Sequence, residues 1–337
     1  MQQAAANRFP YAEFPTGWFA VAGSHEVAPG TVKPLHNFGQ DLVLFRTESG
    51  QAVVTDPYCP HLGAHLGYGG TVEGETIRCP FHHWKFDATG RCTSVPFAPT
   101  PGRARIKTWP TTEHNGLIMV WYDLEGRAPT WDMPDFEETL VPELEGFETY
   151  DGIKTWPQEI LENGADWLHF NTVHATRQLV GEVDPRSDGA HNLVFTFRSK
   201  DYETDPAPDH FRGEVAFYGP GYARNLSWGR PFPHMTVENS VYVTPIDHGT
   251  LQIRSLHRIV PDADNPVPID GLKQIFATLG PEITRQLEQD VVIWEKKAYF
   301  PQPMLAASDG PILKYRKWYS QFYPRGPANE ASLGKVA

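Results

Sequence analysis

Two short segments rich in cysteine and histidine carry the side chains whose chemistry is easiest to recognise. One reads Cys-Pro-His at positions 59–61, the other reads Cys-Pro-Phe-His at positions 79–82, and seventeen residues separate them. Two thiolates and two imidazoles match a [2Fe–2S] cluster in which cysteines hold one iron and histidines hold the other. The alternative is a structural zinc site, whose ligand pairs normally open with two cysteines separated by two to four residues. The spacing therefore favours the cluster, with Cys59, His61, Cys79 and His82 as its ligands.

A second group of ligand-type residues follows later in the chain, where His169 and His174 come shortly after Asn163 and Asp166. Two histidines and one carboxylate can bind Fe(II) and leave open positions for O₂ and a substrate. On a regular helix two residues five apart point about 140° away from each other. We therefore predict that the helix is broken or bulged between the two histidines if both bind one metal ion.

The carboxylate of such a site has to come from another part of the chain. Because proline favours the first helical position, the pattern predicts a helix from Pro281 to about Tyr299. Asp290 lies at the edge of the apolar stripe of this helix. A carboxylate beside a buried face is costly unless it is paired or bound to metal, whereas one at the rim can simply be solvated. The pattern alone leaves both interpretations open.

The elements around these residues suggest two domains of different character. The first 125 residues indicate short strands, with a hairpin formed by residues 42–45 and 52–54 and a further strand at 116–122. The remainder mixes strand and helix periodicities, with a turn at 247–249, which indicates an α+β layout. We predict an N-terminal domain at 1–127 and a second domain at 128–337, whose acidic, proline-containing residues 128–153 form a crossing segment.

From Trp18 to Tyr323 the chain resembles the Rieske-type non-haem iron oxygenases. Within them it is similar to the Neverland-type cholesterol 7-desaturases and to the oxygenase component of 3-ketosteroid 9α-hydroxylase. The resemblance rests on residues 59–70, 79–82, 158–166, 290–299, 309–312 and 318–323. It implies an all-β Rieske [2Fe–2S] domain followed by a helix-grip (START-like) catalytic domain with an antiparallel sheet and helices.

The resemblance also implies roles for individual residues. Asp290 becomes the third ligand of a mononuclear Fe(II), beside His169 and His174. Asp166 connects His169 to His82 of the partner subunit in a homotrimer; on physical grounds it could also orient the imidazole of His169. Asn163 is either a polar residue next to the site or the partner in an ordinary helix hydrogen bond.

The implied reaction is an O₂- and NAD(P)H-dependent oxidation of a sterol or steroid, by 7,8-desaturation or by hydroxylation. Electrons would arrive through a ferredoxin reductase, a ferredoxin or both. Two other interpretations stay open: an oxygenase for a different bulky apolar substrate, and a Rieske electron carrier fused to a lipid-binding domain. A carrier would contain the cluster without a second iron site.

Composition narrows the classes of partner and location. A formal charge of −12 argues against nucleic-acid binding, which depends on basic side chains. No apolar run reaches membrane-spanning length and the N-terminus lacks a secretory pattern, so we expect a cytoplasmic protein. Six basic residues and one acid between Arg78 and Lys107 could steer an acidic redox partner, or could be scattered surface charges.

Overall fold

The computed structural model describes residues 8–134, 136, 141–187, 190–200, 210–264, 266–306 and 308–324. Their contacts divide the chain into two compact units. One unit comprises Gly17–Asp135 and Thr244–His248, and the other comprises the remaining described residues. The division into domains at residue 127 stays a prediction.

Between Gly17 and Asp135 the first unit is built mainly from short strands, in three antiparallel sheets with the orders β1-β11-β10, β2-β3-β4-β9 and β5-β6-β7-β8. The predicted hairpin is confirmed as β3 and β4, with Val43 opposite Thr55, and the predicted strand near 116–122 is confirmed as β11. The strands are β1 Gly17–Gly23, β2 Val32–Asn37, β3 Gln40–Arg46, β4 Ala52–Thr55, β5 Thr71–Glu73, β6 Thr76–Arg78, β7 Lys85–Asp87, β8 Cys92–Ser94, β9 Thr108–Trp109, β10 Thr111–His114 and β11 Leu117–Tyr122.

The second unit contains one seven-stranded sheet with the order β12-β18-β17-β16-β15-β14-β13. From β13 to β18 the chain runs back and forth through neighbouring strands, and β12 joins at the free edge of β18. The strands are β12 Glu145–Ile153, β13 Leu179–Val183, β14 Asn192–Ser199, β15 Arg212–Tyr218, β16 Tyr222–Gly229, β17 Phe232–Asp247 and β18 Thr250–Pro261. The predicted turn at 247–249 is confirmed between β17 and β18.

The described residues of this unit also form four α-helices: α1 Pro157–Leu161, α2 Trp167–Thr172, α3 Ile269–Trp294 and α4 Ile312–Tyr319. Single 3₁₀ turns cover Ser24–Glu26, Pro142–Leu144, Glu162–Ala165 and Ser320–Phe322. The predicted α+β class is therefore confirmed, with helices confined to the second unit among the described residues.

The long helix does not begin where the proline pattern predicted. Helix α3 begins at Ile269, contains Pro281 in its interior and ends at Trp294 instead of near Tyr299. The turns before Pro281 bury an apolar face against Leu144, Met235 and Ile259. This burial offsets the cost of an interior proline, whose missing hydrogen bond and ring clash together amount to about 3 kcal/mol.

The last nine residues of the predicted acidic crossing segment, 128–153, form the strand β12. Positions 135 and 137–140 lie outside the described residues. The acids of β12 are compatible with a strand because polar residues of β18 face them: Glu145 lies opposite Arg258, and Glu148 lies opposite Ser255.

Among the described residues, no helix combines the length and the hydrophobicity that crossing a bilayer would require.

Candidate metal centres

The two Cys/His segments fold into loops with the same backbone hydrogen bonds. The N–H of Cys59 donates to the carbonyl of Ala64, and that of Gly63 donates back to Cys59, both at 2.9 Å. The N–H of Cys79 donates to Trp84 at 2.8 Å, and that of His83 donates back to Cys79 at 3.1 Å. The fifth residue of each loop has a positive φ, 75° at Gly63 and 60° at His83. The two cysteines therefore occupy equivalent positions, while His61 is the third residue of its loop and His82 is the fourth of its own.

The side chains on these loops fit a metal cluster. Cys59 and Cys79 are buried and form no disulfide, and burial raises the pKa of the Cys59 thiol to about 11. A thiolate is therefore unfavourable there unless a cation stabilises it. The rings of His61 and His82 lie 4.6 Å apart, and the Nδ1 atom of His61 is buried without a hydrogen-bond partner among the described residues. An unsatisfied imidazole nitrogen beside buried thiols suits an iron ligand.

The indole of Trp84 stacks on the His61 ring, with centroids 4.5 Å apart and planes 9° apart. Beneath the loops, Cys59 and Cys79 join a hydrophobic core with Phe86 and Ile106. Cys92 is part of this core, which agrees with a structural role. This packing supports both loops from the side of the core.

The second group of residues lies where the backbone leaves helical geometry. Helix α1 passes into the 3₁₀ turn, and Asp166 then adopts φ −94° and ψ 87°, so that α2 begins only at Trp167. The carboxylate of Asp166 caps α2 by accepting from the N–H of His169 at 3.4 Å. Helix α2 ends at Thr172, so His174 lies beyond its C-terminus. The predicted break between His169 and His174 is confirmed.

The structure brings His169, His174 and Asp290 together. One ligand atom from each side chain lies within 4.8 Å of the other two, and all three residues are buried. The Nε2 atom of His174 is 3.2 Å from Oδ2 of Asp290. Two imidazoles and a carboxylate at this separation match the donor set that binds Fe(II) in non-haem oxygenases.

The outer nitrogen of each imidazole is already engaged. Nδ1–H of His174 donates to Oε1 of Gln289 at 3.1 Å. Nδ1–H of His169 donates to the main-chain carbonyl of Asp166, so the carboxylate of Asp166 contacts the backbone of His169 and its carbonyl contacts the ring. These contacts fix the tautomers and leave both Nε2 atoms for a metal ion.

The pKa values of the two histidines shift in opposite directions. Burial lowers the pKa of His169, although Asp290 and Asp166 partly offset this effect. Burial also disfavours the charged form of His174, but its hydrogen bond and charge interaction with Asp290 outweigh burial and raise its pKa. His169 is therefore neutral near pH 7, as a metal ligand must be, while Asp290 lies where a cation is favoured.

Two residues around the site, Trp294 and Gln289, have no individual signal in the sequence. Oδ1 of Asn163 accepts from the indole of Trp294 at 3.1 Å, which ties the turn before α2 to the end of α3. Asn163 thus makes a hydrogen bond outside its own helix, and it also lines the cavity described below. Gln289 could have been found only by its position next to Asp290.

A cavity of about 520 Å³ opens from the three candidate ligands. Its walls are mainly apolar and come from the helices α1, α2 and α3 and the strands β13, β14, β16 and β17. The apolar residues include Leu161, Phe170, Leu179, Phe197, Phe211, Val237, Val241, Ile283 and Leu287. Its size and lining suit an apolar small molecule.

A buried ionic cluster holds the segment before α2 from behind. Arg316 of α4 donates to both carboxylate oxygens of Glu162, at 2.5 and 2.8 Å. Lys297 lies 2.9 Å from the fully buried carboxylate of Glu159. Burial and the charge of Glu162 raise the pKa of Glu159, so this carboxyl depends on the nearby cations to stay ionised. The cluster links the chain after α3 to the turn that precedes the candidate ligands.

Replacing Arg316 with leucine should destabilise the second unit strongly. The change leaves Glu162 buried without its bidentate partner, and breaking such a pair costs about 3–5 kcal/mol. Denaturant unfolding followed by circular dichroism measures the loss. The matched control is Arg285→Leu, which removes an exposed pair with Glu282 on α3 and should change stability little. Equal losses in both variants would contradict the assignment of a supporting role to the cluster.

Both parts of the chain match described protein families. Residues 17–110 match the Rieske [2Fe-2S] domain, and residues 120–323 match the 3-ketosteroid 9alpha-hydroxylase C-terminal domain. A cholesterol 7-desaturase of Xenopus laevis is 34% identical over 92% of this chain and 72% of its own length. One of Bombyx mori is 35% identical, with 92% and 70% covered. A probable 3-ketosteroid-9-alpha-monooxygenase oxygenase component of Rhodococcus rhodochrous is 30% identical, with 93% and 81% covered.

Solved structures share the fold at lower sequence identity. NdmA of Pseudomonas putida CBB5 with caffeine superposes with a TM-score of 0.68 at 20% identity, covering 90% of this chain and 89% of that one. Dicamba monooxygenase bound to dicamba gives a TM-score of 0.63 at 17% identity, covering 91% and 96%.

Proposed function

Because this chain belongs to the Rieske oxygenase family that contains the cholesterol 7-desaturases and the 3-ketosteroid 9α-hydroxylase oxygenase components, we propose that it oxidises a sterol or steroid. It is an oxidoreductase that uses a Rieske cluster and a mononuclear iron. We propose Cys59, His61, Cys79 and His82 as the cluster ligands, and His169, His174 and Asp290 as the ligands of the mononuclear iron. The proposed reaction is 7,8-desaturation, with hydroxylation of a ketosteroid as the alternative.

The observation that carries this proposal is the shared location of the three candidate ligands and the apolar cavity. His169, His174 and Asp290 line the same 520 Å³ space as the aliphatic and aromatic walls. A Rieske electron carrier with a lipid-binding domain has no need for two imidazoles and a carboxylate within reach of one ion in its lipid pocket. The arrangement therefore favours an oxygenase over a carrier.

The residues around the site divide the tasks of binding and orientation. When bound, the ferrous ion would supply open coordination positions for O₂ beside the substrate, and the cluster would supply single electrons. Gln289 and the carbonyl of Asp166 hold the two imidazoles in the tautomers that leave Nε2 available. The apolar walls exclude water and hold one C–H bond of the substrate at a fixed place. Position, more than the ligand set, then decides between hydroxylation and desaturation.

Product analysis tests the proposal directly. The purified protein, with iron restored, is incubated with NAD(P)H, a reductase, a ferredoxin and a panel of sterols and 3-ketosteroids. We expect one panel member to give a product that is either two hydrogens lighter or one oxygen heavier. Absence of product across the panel, with both metal centres intact and O₂ present, would overturn the steroid assignment.

The basic region near the cluster is smaller than its sequence suggests. Glu73 pairs with Arg78 at 2.8 Å and with Lys85 at 2.5 Å, which neutralises part of the charge. Arg91, Arg103, Arg105 and Lys107 stay exposed. The backbone of Ala104 accepts from the N–H of Cys92, so the two arginines beside it border the core that supports the cluster. We propose that these exposed cations steer an acidic ferredoxin.

The double change Arg103→Glu and Arg105→Glu should slow reduction by an acidic ferredoxin about tenfold at low salt. The difference should shrink as ionic strength rises, because salt screens exposed charges. Stopped-flow measurement of cluster bleaching gives the rate. Lys314→Glu with Lys317→Glu, the same charge change on exposed residues of α4, is the control. If the rate of cluster reduction in the wild type did not change with ionic strength, the steering proposal would be wrong.

We also propose a homotrimer in which the cluster of one subunit reduces the iron of the next, through His82 and the partner subunit's Asp166. Large apolar side chains around the cluster loops support a covered surface: Tyr58, Leu62, Tyr68 and Phe81 are 55–70% exposed. Described residues of the second unit also expose apolar side chains, among them Val292, Phe300 and Met304. Single apolar side chains are common on surfaces, but groups of this kind mark interfaces.

Mixing two inactive variants tests transfer between subunits. His169→Ala lacks the iron site and Cys79→Ala lacks the cluster, so neither should turn over alone. Co-expressed and purified through both tags, mixed trimers should recover activity up to about a third of the wild-type rate, because one of the three interfaces around the ring joins an intact cluster to an intact iron site. Mixed oligomers that stay inactive would show that electrons move only within one chain.

A further inference from the structure

The sheet wall of the cavity carries a polar pair in otherwise apolar surroundings. Alternate residues of β16 and β17 face the cavity: Ala223, Asn225 and Ser227 on one strand, and Val237, Asn239 and Val241 on the other. Asn225 and Asn239 lie directly opposite each other in the antiparallel register. Two neighbouring amides therefore lie in a sheet wall whose other side chains are apolar apart from the hydroxyl of Ser227.

The hydrogen bonds of the two amides fix which atom each presents. Nδ2 of Asn225 donates to the main-chain carbonyl of Asn239 at 3.1 Å, which leaves Oδ1 of Asn225. Ser255 donates its hydroxyl to Oδ1 of Asn239 at 3.3 Å, which leaves Nδ2 of Asn239. No described residue pairs with either remaining atom. The wall thus presents one acceptor, Asn225 Oδ1, beside one donor, Asn239 Nδ2.

The pair lies within reach of a ligand bound at the candidate iron site. Val215 of β15 is opposite Asn225, and a Cβ added to Gly164 would come within 2.7 Å of Val215. Gly164 follows Asn163 in the turn before α2. Since neighbouring strands are about 4.8 Å apart, Asn225 and Asn239 are roughly one and two strand spacings from the point where this turn meets the sheet. A rigid four-ring molecule can span that distance.

From this geometry we infer that Asn225 and Asn239 bind the polar end of the substrate and select a hydroxyl group over a ketone. A hydroxyl donates to Asn225 Oδ1 and accepts from Asn239 Nδ2 at the same time. A ketone can only accept, so it satisfies Asn239 and leaves Oδ1 of Asn225 without a donor. A buried polar atom without a hydrogen bond reduces the free energy of binding. A site of this kind therefore binds the ketone less tightly than the alcohol. The inference rests on the proposed function and narrows its substrate to a hydroxysterol.

The test compares two steroids that differ only in this group, 5α-cholestan-3β-ol and 5α-cholestan-3-one, delivered from methyl-β-cyclodextrin. Dissociation constants are measured with the purified holoprotein by equilibrium partition, without turnover. We expect the wild type to bind the alcohol about tenfold more tightly than the ketone, the difference of one hydrogen bond. This ratio tests the inference without any variant.

Three variants assign the preference to individual atoms. Asn225→Leu should raise the dissociation constant of the alcohol until it is close to that of the ketone, because only the alcohol loses a hydrogen bond. Asn239→Leu should weaken both ligands by a similar factor of about five to ten, because both accept from Nδ2. Val237→Ala, a change in the same wall without a polar atom, should weaken both equally and keep the tenfold ratio. Far-ultraviolet circular dichroism and the visible absorption of the cluster confirm that each variant is folded.

The outcomes separate the inference from the function on which it rests. Equal binding of alcohol and ketone by the wild type, or an unchanged ratio in Asn225→Leu, would overturn the inference and leave the steroid oxygenase intact. Failure of both steroids to bind would overturn the two together.

Discussion

Replacing His169 with alanine is expected to abolish turnover and to leave the iron–sulfur cluster unchanged. Only the carboxylate of Asp290 and the imidazole of His174 then remain of the three candidate ligands. A site reduced from three ligands to two should lose its ion, since metal affinity depends on the full donor set. Iron analysis should fall from about three to about two atoms per chain, the two of the cluster. The visible absorption of the cluster should not change, because its ligands lie on separate loops.

The ferrous site can be followed on its own with nitric oxide, which gives a characteristic paramagnetic resonance signal on binding to exposed Fe(II). The wild type should show this signal and His169→Ala should not. A suitable control is His210→Ala, a buried histidine of the same unit outside the three candidate ligands, which should keep the signal. Loss of the cluster absorption in His169→Ala, or retention of the third iron, would contradict the assignment of the second site.

Replacing Cys79 with alanine is expected to give the reverse pattern. Loss of one thiolate leaves one iron of the cluster with a single protein ligand, so we expect the [2Fe–2S] centre to be lost. The visible absorption should vanish and turnover with NAD(P)H should fall below detection, because electrons no longer reach the second site. The nitrosyl signal of the ferrous site should remain.

Cys92 provides the matched control for this change. It is buried in the same core as Cys79 but belongs to the strand β8, outside the two ligand loops. Cys92→Ala should keep the cluster, its absorption and turnover. A variant at Cys79 that kept the absorption, or a variant at Cys92 that lost it, would show that the cluster ligands had been assigned wrongly.

The parts of the site that are local in sequence could be predicted without the structure. The loops that begin at Cys59 and Cys79 are closed by hydrogen bonds between residues close in sequence. The spacing of the cysteines and histidines was therefore enough to predict the cluster ligands. The break between His169 and His174 also follows from five-residue spacing and helical geometry alone. In both cases the decisive distances lie within one loop or one turn.

The parts that depend on tertiary packing could not be predicted. Pro281 has the sequence character of a helix start, yet burial of the preceding turns extends α3 past it. Gln289 becomes relevant only because α3 faces the end of α2. Asn225 and Asn239 resemble ordinary strand residues until the register places them opposite each other at the cavity. Contacts between residues on different strands depend on the register of the sheet, and they produce no recognisable spacing in the sequence.

The positions of the three candidate ligands along the chain also affect the stability of the protein towards unfolding and proteolysis. His169 and His174 flank the end of a six-residue helix, while Asp290 stands more than a hundred residues later on α3. An ion bound by all three residues would close a long loop of the chain, as a covalent cross-link does. Its binding free energy would add to the free energy of unfolding of this unit. In a cell short of iron, this link between the end of α2 and α3 would be missing. Proteases would then reach the loosened segment, so scarcity would lower the amount of this protein as well as its chemistry.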